Sequence, residues 1–81
     1  MDLHVAIDAA GNPEIPAEVA AQLLGAALPD FLADLRAGVV YSVVERGEGE
    51  DAGRLRLTLR RRATQRVLVV EAATGRVISV A

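Results

Sequence analysis

The most constraining feature of this sequence is the alternation of apolar and charged residues in its second half. From Arg54 to about Arg62, leucines at Leu55, Leu57 and Leu59 alternate with arginines and a threonine. A period of two places the leucines on one face of a β-strand and the charged residues on the other. Because a sheet with one apolar face must bury it against another layer, the pattern requires a fold of at least two layers.

Other segments of the second half are predicted to be strands joined by short connections. They are Val39–Arg46, Arg66–Glu71 and Arg76–Val80. Short connections make consecutive strands antiparallel neighbours. The middle of Arg66–Glu71 is apolar at every position, which indicates a central strand. We therefore expect a meander, with an acidic, glycine-rich loop at residues 47–53 and a turn at residues 63–65.

The first half of the chain has a different period. Residues 3–8 alternate and predict a short strand, which turn residues end at 9–13. From about Pro16 apolar residues recur every four positions, as in an amphipathic helix. Pro29 interrupts this helix, because its ring collides with the carbonyl four residues back. We favour a second short helix that begins at Pro29 and ends near Gly38.

These elements predict a single two-layer α+β domain that comprises the whole chain. A helix, broken at Pro29, packs on a four- to five-stranded, mainly antiparallel sheet in the order β-α(α)-β-β-β-β. One face of the sheet receives the helical layer. The other face is left to solvent or to another chain.

Composition argues against several classes of function. The chain has no cysteine, one histidine (His4) and two aromatic residues, Phe31 and Tyr41. Disulfides, thiolate zinc sites and base-stacking platforms are therefore not expected. His4 has neither a nucleophile nor enough ligands around it, so we predict no enzyme, no catalytic residue, no cofactor and no metal site. Without a basic leader or a long apolar run, we also expect a cytoplasmic protein that makes no membrane contact.

Charge is divided unevenly along the chain. Residues 1–51 contain ten acids and two arginines, whereas residues 52–81 contain seven arginines and one acid. Several arginines are predicted to share one strand face, where alternate side chains stand about 6.8 Å apart, comparable to phosphates on an extended strand. These candidate anion- or partner-binding residues are Arg54, Arg56, Arg60 and Arg62. We favour a solvated face, with binding of nucleic acid or another polyanion as the alternative.

Our first hypothesis for function is a non-enzymatic protein-interaction module that associates with itself, as a homodimer. Segments 39–44 and 67–70 are apolar on both faces, while the helices can cover only one of them. The uncovered face therefore needs a partner. The candidate self-association residues are Val40, Val44, Leu68 and Val70.

Two short segments resemble PepSY-type domains. They are Val69–Val80, which ends in a strand, a Glu-Ala-Ala-Thr-Gly turn and a last strand, and Ile15–Ala20 at the start of the helix. The resemblance implies a helix on an antiparallel sheet and a regulatory or inhibitory protein-binding role, and it supplies no catalytic residues. An alternative origin, compatible with the short loops and the absence of lysine, cysteine and tryptophan, is a designed protein without biological function.

Overall fold

A computed structural model describes residues 3–81 and shows the predicted α+β architecture. The two helices are α1 (Ala17–Leu23) and α2 (Leu28–Arg36), and the strands are β1 (Ala6–Ile7), β2 (Pro13–Glu14), β3 (Val40–Arg46), β4 (Arg54–Arg61), β5 (Thr64–Glu71) and β6 (Val77–Val80). The acidic loop between β3 and β4 contains a 3₁₀ turn at Gly49–Asp51. Strands β1 and β2 form a separate small hairpin.

The main sheet is an antiparallel meander with the order β3-β4-β5-β6. Strand β5 lies between β4 and β6, so the prediction of a central strand in this segment is confirmed. In the register of the sheet, Leu57 lies opposite Val44 on one side and Leu68 on the other. The pairing of β5 with β6 shifts by one residue between Val69 and Val70.

The helical layer is broken at the predicted position. Helix α1 ends at Leu23, and Gly25 follows with a φ of 68°, a left-handed conformation that glycine adopts without steric strain. Helix α2 has Pro29 in its first turn, where a missing N–H removes no helical hydrogen bond. The two helices predicted on either side of this break are confirmed.

Both helices pack on the leucine face of β4. The core contains Leu55, Leu57 and Leu59 from this strand, together with Leu68 and Val70 from β5. The helical layer, the first residues and β3 contribute the rest, namely Val5, Ala20, Ala21, Leu24, Phe31 and Val40. This core is aliphatic apart from one ring, as the composition predicts, and among residues 3–81 it includes no buried polar side chain.

The predicted strand over residues 3–8 is wrong in its extent. Only Ala6–Ile7 form a strand, and they pair with Pro13–Glu14, residues that the sequence assigned to the turn and the stretch after it. Residues before β1 instead join the edge of the main sheet: the Val5 N–H donates to the Gly75 carbonyl at 2.8 Å, and the Val77 N–H donates to the Leu3 carbonyl at 2.8 Å. Alternation predicts an extended segment but not which strand it joins.

The turn predicted at residues 63–65 lies one residue earlier. Arg61 pairs with Thr64, so the turn consists of Arg62 and Ala63. Arg62 has a φ of 54°, which suits the right-handed twist of a two-residue hairpin but strains a side chain with a Cβ. Because this position usually carries glycine or asparagine, no local signal marked the turn.

Candidate interaction surface

The sheet face opposite the helices has no second layer in the described part of the chain. We call it the outer face. Its β4 residues are Arg54, Arg56, Thr58 and Arg60, and the neighbouring strands add Tyr41, Val43, Glu45, Gln65, Val67, Val69 and Glu71. Apolar side chains therefore lie on both sides of a basic row, which gives the outer face a mixed chemical character.

Three of the four predicted arginines form this row, and each has a polar partner within the chain. Arg54 Nη1 lies 3.8 Å from Asp51 Oδ1, and Arg56 Nη1 lies 4.0 Å from Glu45 Oε1. Arg60 Nη1 donates to Gln65 Oε1 at 3.2 Å. The first two contacts are exposed and long, so they contribute little to stability, but they reduce the positive potential of the row.

The prediction that Arg62 belongs to the row is wrong. Arg62 lies in the turn after β4, where its Nη2 donates to Asp34 Oδ1 in α2 at 3.2 Å. Arg61 Nε donates to the other oxygen, Asp34 Oδ2, at 2.8 Å. The positive φ of Arg62 turns the chain away from the outer face. The Asp34 carboxylate therefore binds two guanidinium groups and connects α2 to the β4–β5 turn.

The hydrogen bond from Arg62 and, after it, that from Arg61 lower the pKa of Asp34, while partial burial acts in the opposite direction. Its side chain is only 14% exposed. A carboxyl group whose pKa is lower in the folded state stabilises the fold above its unfolded pKa, and this contribution disappears as the pH falls through the folded pKa.

We expect Asp34→Asn to be less stable than the wild type at pH 7, because two guanidinium groups lose their anion. The difference in unfolding free energy should stay constant at neutral pH and shrink in acid, as Asp34 becomes protonated in the wild type. Urea denaturation at a series of pH values measures it. Asp30→Asn, at an exposed position in the same helix, is the control. The same dependence of unfolding free energy on pH in Asp34→Asn and in the wild type would contradict the prediction.

The predicted self-association residues occupy very different places. Leu68 and Val70 have no exposed surface, so a partner does not reach them while the fold is intact. The side chain of Val40 is also largely buried, at 9% exposed, although its strand lies at the edge of the sheet. Val44 is 37% exposed. These four residues project from the helix-covered side of the sheet, because Val44 and Leu68 both lie opposite Leu57.

Sequence reasoning missed the most exposed apolar residues of the sheet. Tyr41 is 52% exposed and Val43 is 47% exposed, and both lie on the outer face of β3. The available signal was the alternation within β3 itself: once Val40 is placed inward, Tyr41 and Val43 must point outward. Because the segment is apolar on both faces, its composition does not show which residues point inward.

The backbone of β3 is unpaired along one side. The Gly47 N–H donates to the Arg54 carbonyl, and the Arg62 N–H donates to the Val39 carbonyl. Hydrogen-bonded and non-hydrogen-bonded pairs alternate in an antiparallel ladder. The backbone N–H and C=O groups of the odd-numbered residues of β3 therefore bond to β4, and those of the even-numbered residues point away from it. The outward backbone groups belong to Val40, Ser42, Val44 and Arg46, and we call this side the β3 edge.

The two edges of the main sheet differ in protection. The β6 side is partly covered, because residues 3–5 bond to Gly75 and Val77 and His4 forms a bridge with Arg76. The β3 edge has no such cover within residues 3–81. Strand β3 is seven residues long and has no bulge in its register with β4. A long, regular and partly apolar edge is a template for another strand.

An apolar groove of about 200 Å³ lies beside the β3 edge, between the helices and the sheet. Its lining includes Phe31 and Leu35 of α2 and Val40, Tyr41 and Ser42 of β3. A larger and more polar cavity, of about 380 Å³, lies at the other end of β3. Arginines and acids both line it, namely Glu45, Arg46, Glu48, Asp51, Arg54 and Arg56, so it favours neither sign of charge.

Within residues 3–81, no three histidine, cysteine or acidic side chains come together as a group that could bind a metal ion. Neither helix in the described part of the chain has the length and apolar character needed to cross a bilayer.

Comparison with known proteins gives a family but no described activity. No curated protein and no solved structure matches this sequence. A family model matches residues 3–81, and that range includes both helices, the whole main sheet and the β3 edge. The chain therefore belongs to the family described as "Family of unknown function (DUF6522)".

Proposed function

We propose that this chain is a non-enzymatic protein-interaction module that associates with itself through the β3 edge. The observation that supports the proposal is the unpaired backbone of β3, a seven-residue strand without bulge, proline or lysine. Natural sheets protect such edges with these devices or with a covering segment. An edge that is left open and is mostly apolar from Val40 to Val44 is best explained by a partner strand.

The side chains around the edge support the same function. Tyr41 and Val43 on the outer face and Val44 on the other face are all more than a third exposed. Another strand added at the edge would remove part of each from water, and it would satisfy the outward backbone groups at the same time. The regulatory role that the PepSY-like segments imply is compatible with such a module and stays a prediction.

Val43→Lys tests this function. A lysine on the edge strand opposes strand addition, since pairing would desolvate its charge. We expect the dissociation constant of self-association to rise about tenfold or more, which corresponds to about 1.4 kcal/mol per factor of ten. Sedimentation velocity over a range of protein concentrations measures it.

Ser79→Lys is the matched control, because Ser79 is an exposed residue of β6 at the other side of the sheet. It adds the same charge without touching β3. Circular dichroism checks that both variants keep the fold. Two results would contradict the proposed use of the β3 edge. One is a wild-type chain that stays monomeric at all concentrations, and the other is a Ser79→Lys variant whose self-association is weakened as much as that of Val43→Lys.

The arginine row is the alternative site, for nucleic acid or another polyanion. It offers Arg54, Arg56 and Arg60 on one open face, so three phosphate contacts at most come from these residues. Their neighbours Asp51 and Glu45 already offset part of the charge, and the two aromatic residues of the chain supply few rings for stacking. These features favour a solvated row beside the protein-binding edge.

A further inference from the structure

We propose that the partner at the β3 edge is a second copy of this chain, joined antiparallel about a two-fold axis through Val43. This inference rests on the self-association proposed above and specifies its register. Val43 is the middle residue of Val40–Arg46. The axis therefore pairs the two strands along their full length and joins two four-stranded sheets into one continuous sheet.

The backbone supports this register. With the axis at Val43, Val40 lies opposite Arg46 of the second copy and Ser42 lies opposite Val44 of the second copy. All of these residues have outward N–H and C=O groups, so about eight hydrogen bonds form between the copies. An axis at Ser42 or Val44 displaces the strands by two residues and leaves outward groups at both ends unpaired.

Pairing of two copies about Val43 brings no like charges together on the outer face. On the outer face Arg60 lies beside Tyr41, and Arg56 lies beside Glu45. Pairing about Val43 places Tyr41 opposite Glu45 of the second copy. Glu45 of each copy therefore faces a neutral ring across the junction and keeps Arg56 of its own copy as its charged neighbour. Like charges directly opposite each other oppose strand pairing, and this register places none opposite each other.

The apolar groove fits the same arrangement. Ser42 lines this groove, and pairing about Val43 places Val44 of the second copy opposite Ser42 on the helix side of the sheet. Val44 is the exposed apolar residue of β3 on that side. Each copy therefore covers part of the other's groove with a side chain that is 37% exposed in the monomer.

Single cysteine variants test the register, because the native sequence contains no cysteine to confuse the result. Residues on a two-fold axis in a non-hydrogen-bonded pair have Cα atoms about 4.5 Å apart, within disulfide range. Residues one position away from the axis face the second copy diagonally, about 7–8 Å away. We expect Val43→Cys to form a disulfide-linked dimer at least tenfold faster than Ser42→Cys or Val44→Cys under mild oxidation, read on non-reducing gels.

The outcomes separate this inference from the function on which it rests. Sedimentation of the reduced variants shows whether each still associates. Association together with faster cross-linking at Ser42→Cys or Val44→Cys, or at an Ile78→Cys control on β6, overturns the register and leaves self-association standing. A chain that remains monomeric, with equally slow cross-linking at every position, overturns both.

Discussion

Leu68→Ala is expected to lower the free energy of unfolding by about 3 kcal/mol, within the range of about 2–5 kcal/mol for fully buried leucines. Leu68 has no exposed surface and lies opposite Leu57 in the centre of the sheet. Alanine removes its contacts with the core and leaves a cavity that strands on both sides of β5 prevent from closing. Because small domains have total stabilities of only about 5 kcal/mol or somewhat more, the variant should be close to unfolding at 37 °C. Urea denaturation followed by circular dichroism measures the change.

Leu35→Ala is the matched control for this prediction. It deletes the same atoms from a leucine of α2 that is 48% exposed, so we expect a loss of only about 1 kcal/mol. The contrast isolates burial, since residue type and substitution are the same. Equal losses at both positions would mean that Leu68 is not at the centre of the core.

Gly75→Ala is expected to detach the N-terminal segment from the sheet and to destabilise the domain by about 2 kcal/mol or more. Gly75 has a φ of 78°, a left-handed conformation that costs about 1–2 kcal/mol for residues with a Cβ. An alanine Cβ at this position would also collide with the Val5 carbonyl oxygen. Since the Val5 N–H bonds to the Gly75 carbonyl, separation of the two backbones also breaks that hydrogen bond. Hydrogen exchange at the Val5 amide, together with thermal unfolding, measures both effects.

Gly38→Ala separates the collision from the backbone strain. Gly38 has the same φ of 78°, but a Cβ there meets no atom within 4 Å among the described residues. We therefore expect Gly38→Ala to show the conformational cost alone and to leave the Val5 amide protected. A Gly75→Ala variant no less stable than Gly38→Ala, with its Val5 amide still protected, would contradict the account of this contact.

Local patterns in the sequence were sufficient for the element order. The leucines of β4 predicted one buried face, and they are buried. Pro29 predicted the break between α1 and α2, and α2 begins one residue before it, at Leu28. Both signals act within a few residues. Alternation follows from the pleat of a single strand, and a proline ring conflicts with the preceding turn of its own helix, so neither depends on the rest of the chain.

The interaction surface was predicted less well, because it depends on how strands meet. The run from Val67 to Val70 is apolar on both faces, so its alternation does not tell which residues point to the core. Pairing with β4 decides this by placing Leu68 opposite Leu57 and Val67 opposite Thr58. The same pairing makes β3 an edge and exposes Val43, which only the order of strands reveals.

Arg62 illustrates the same division at a single residue. The strand pattern extends to Arg62, and by parity alone it belongs beside Arg60 on the outer face. Strand β4 ends one residue before Arg62, at Arg61. The guanidinium of Arg62 instead binds the carboxylate of Asp34 in α2, far away in the chain. By itself, the sequence determined which segments are extended or helical and that one sheet face is apolar, since short-range sterics and periodicity encode these properties. Only the tertiary structure decided the strand partners, the open edge and the Asp34 ion pairs, because these arise from contacts between residues far apart in the chain.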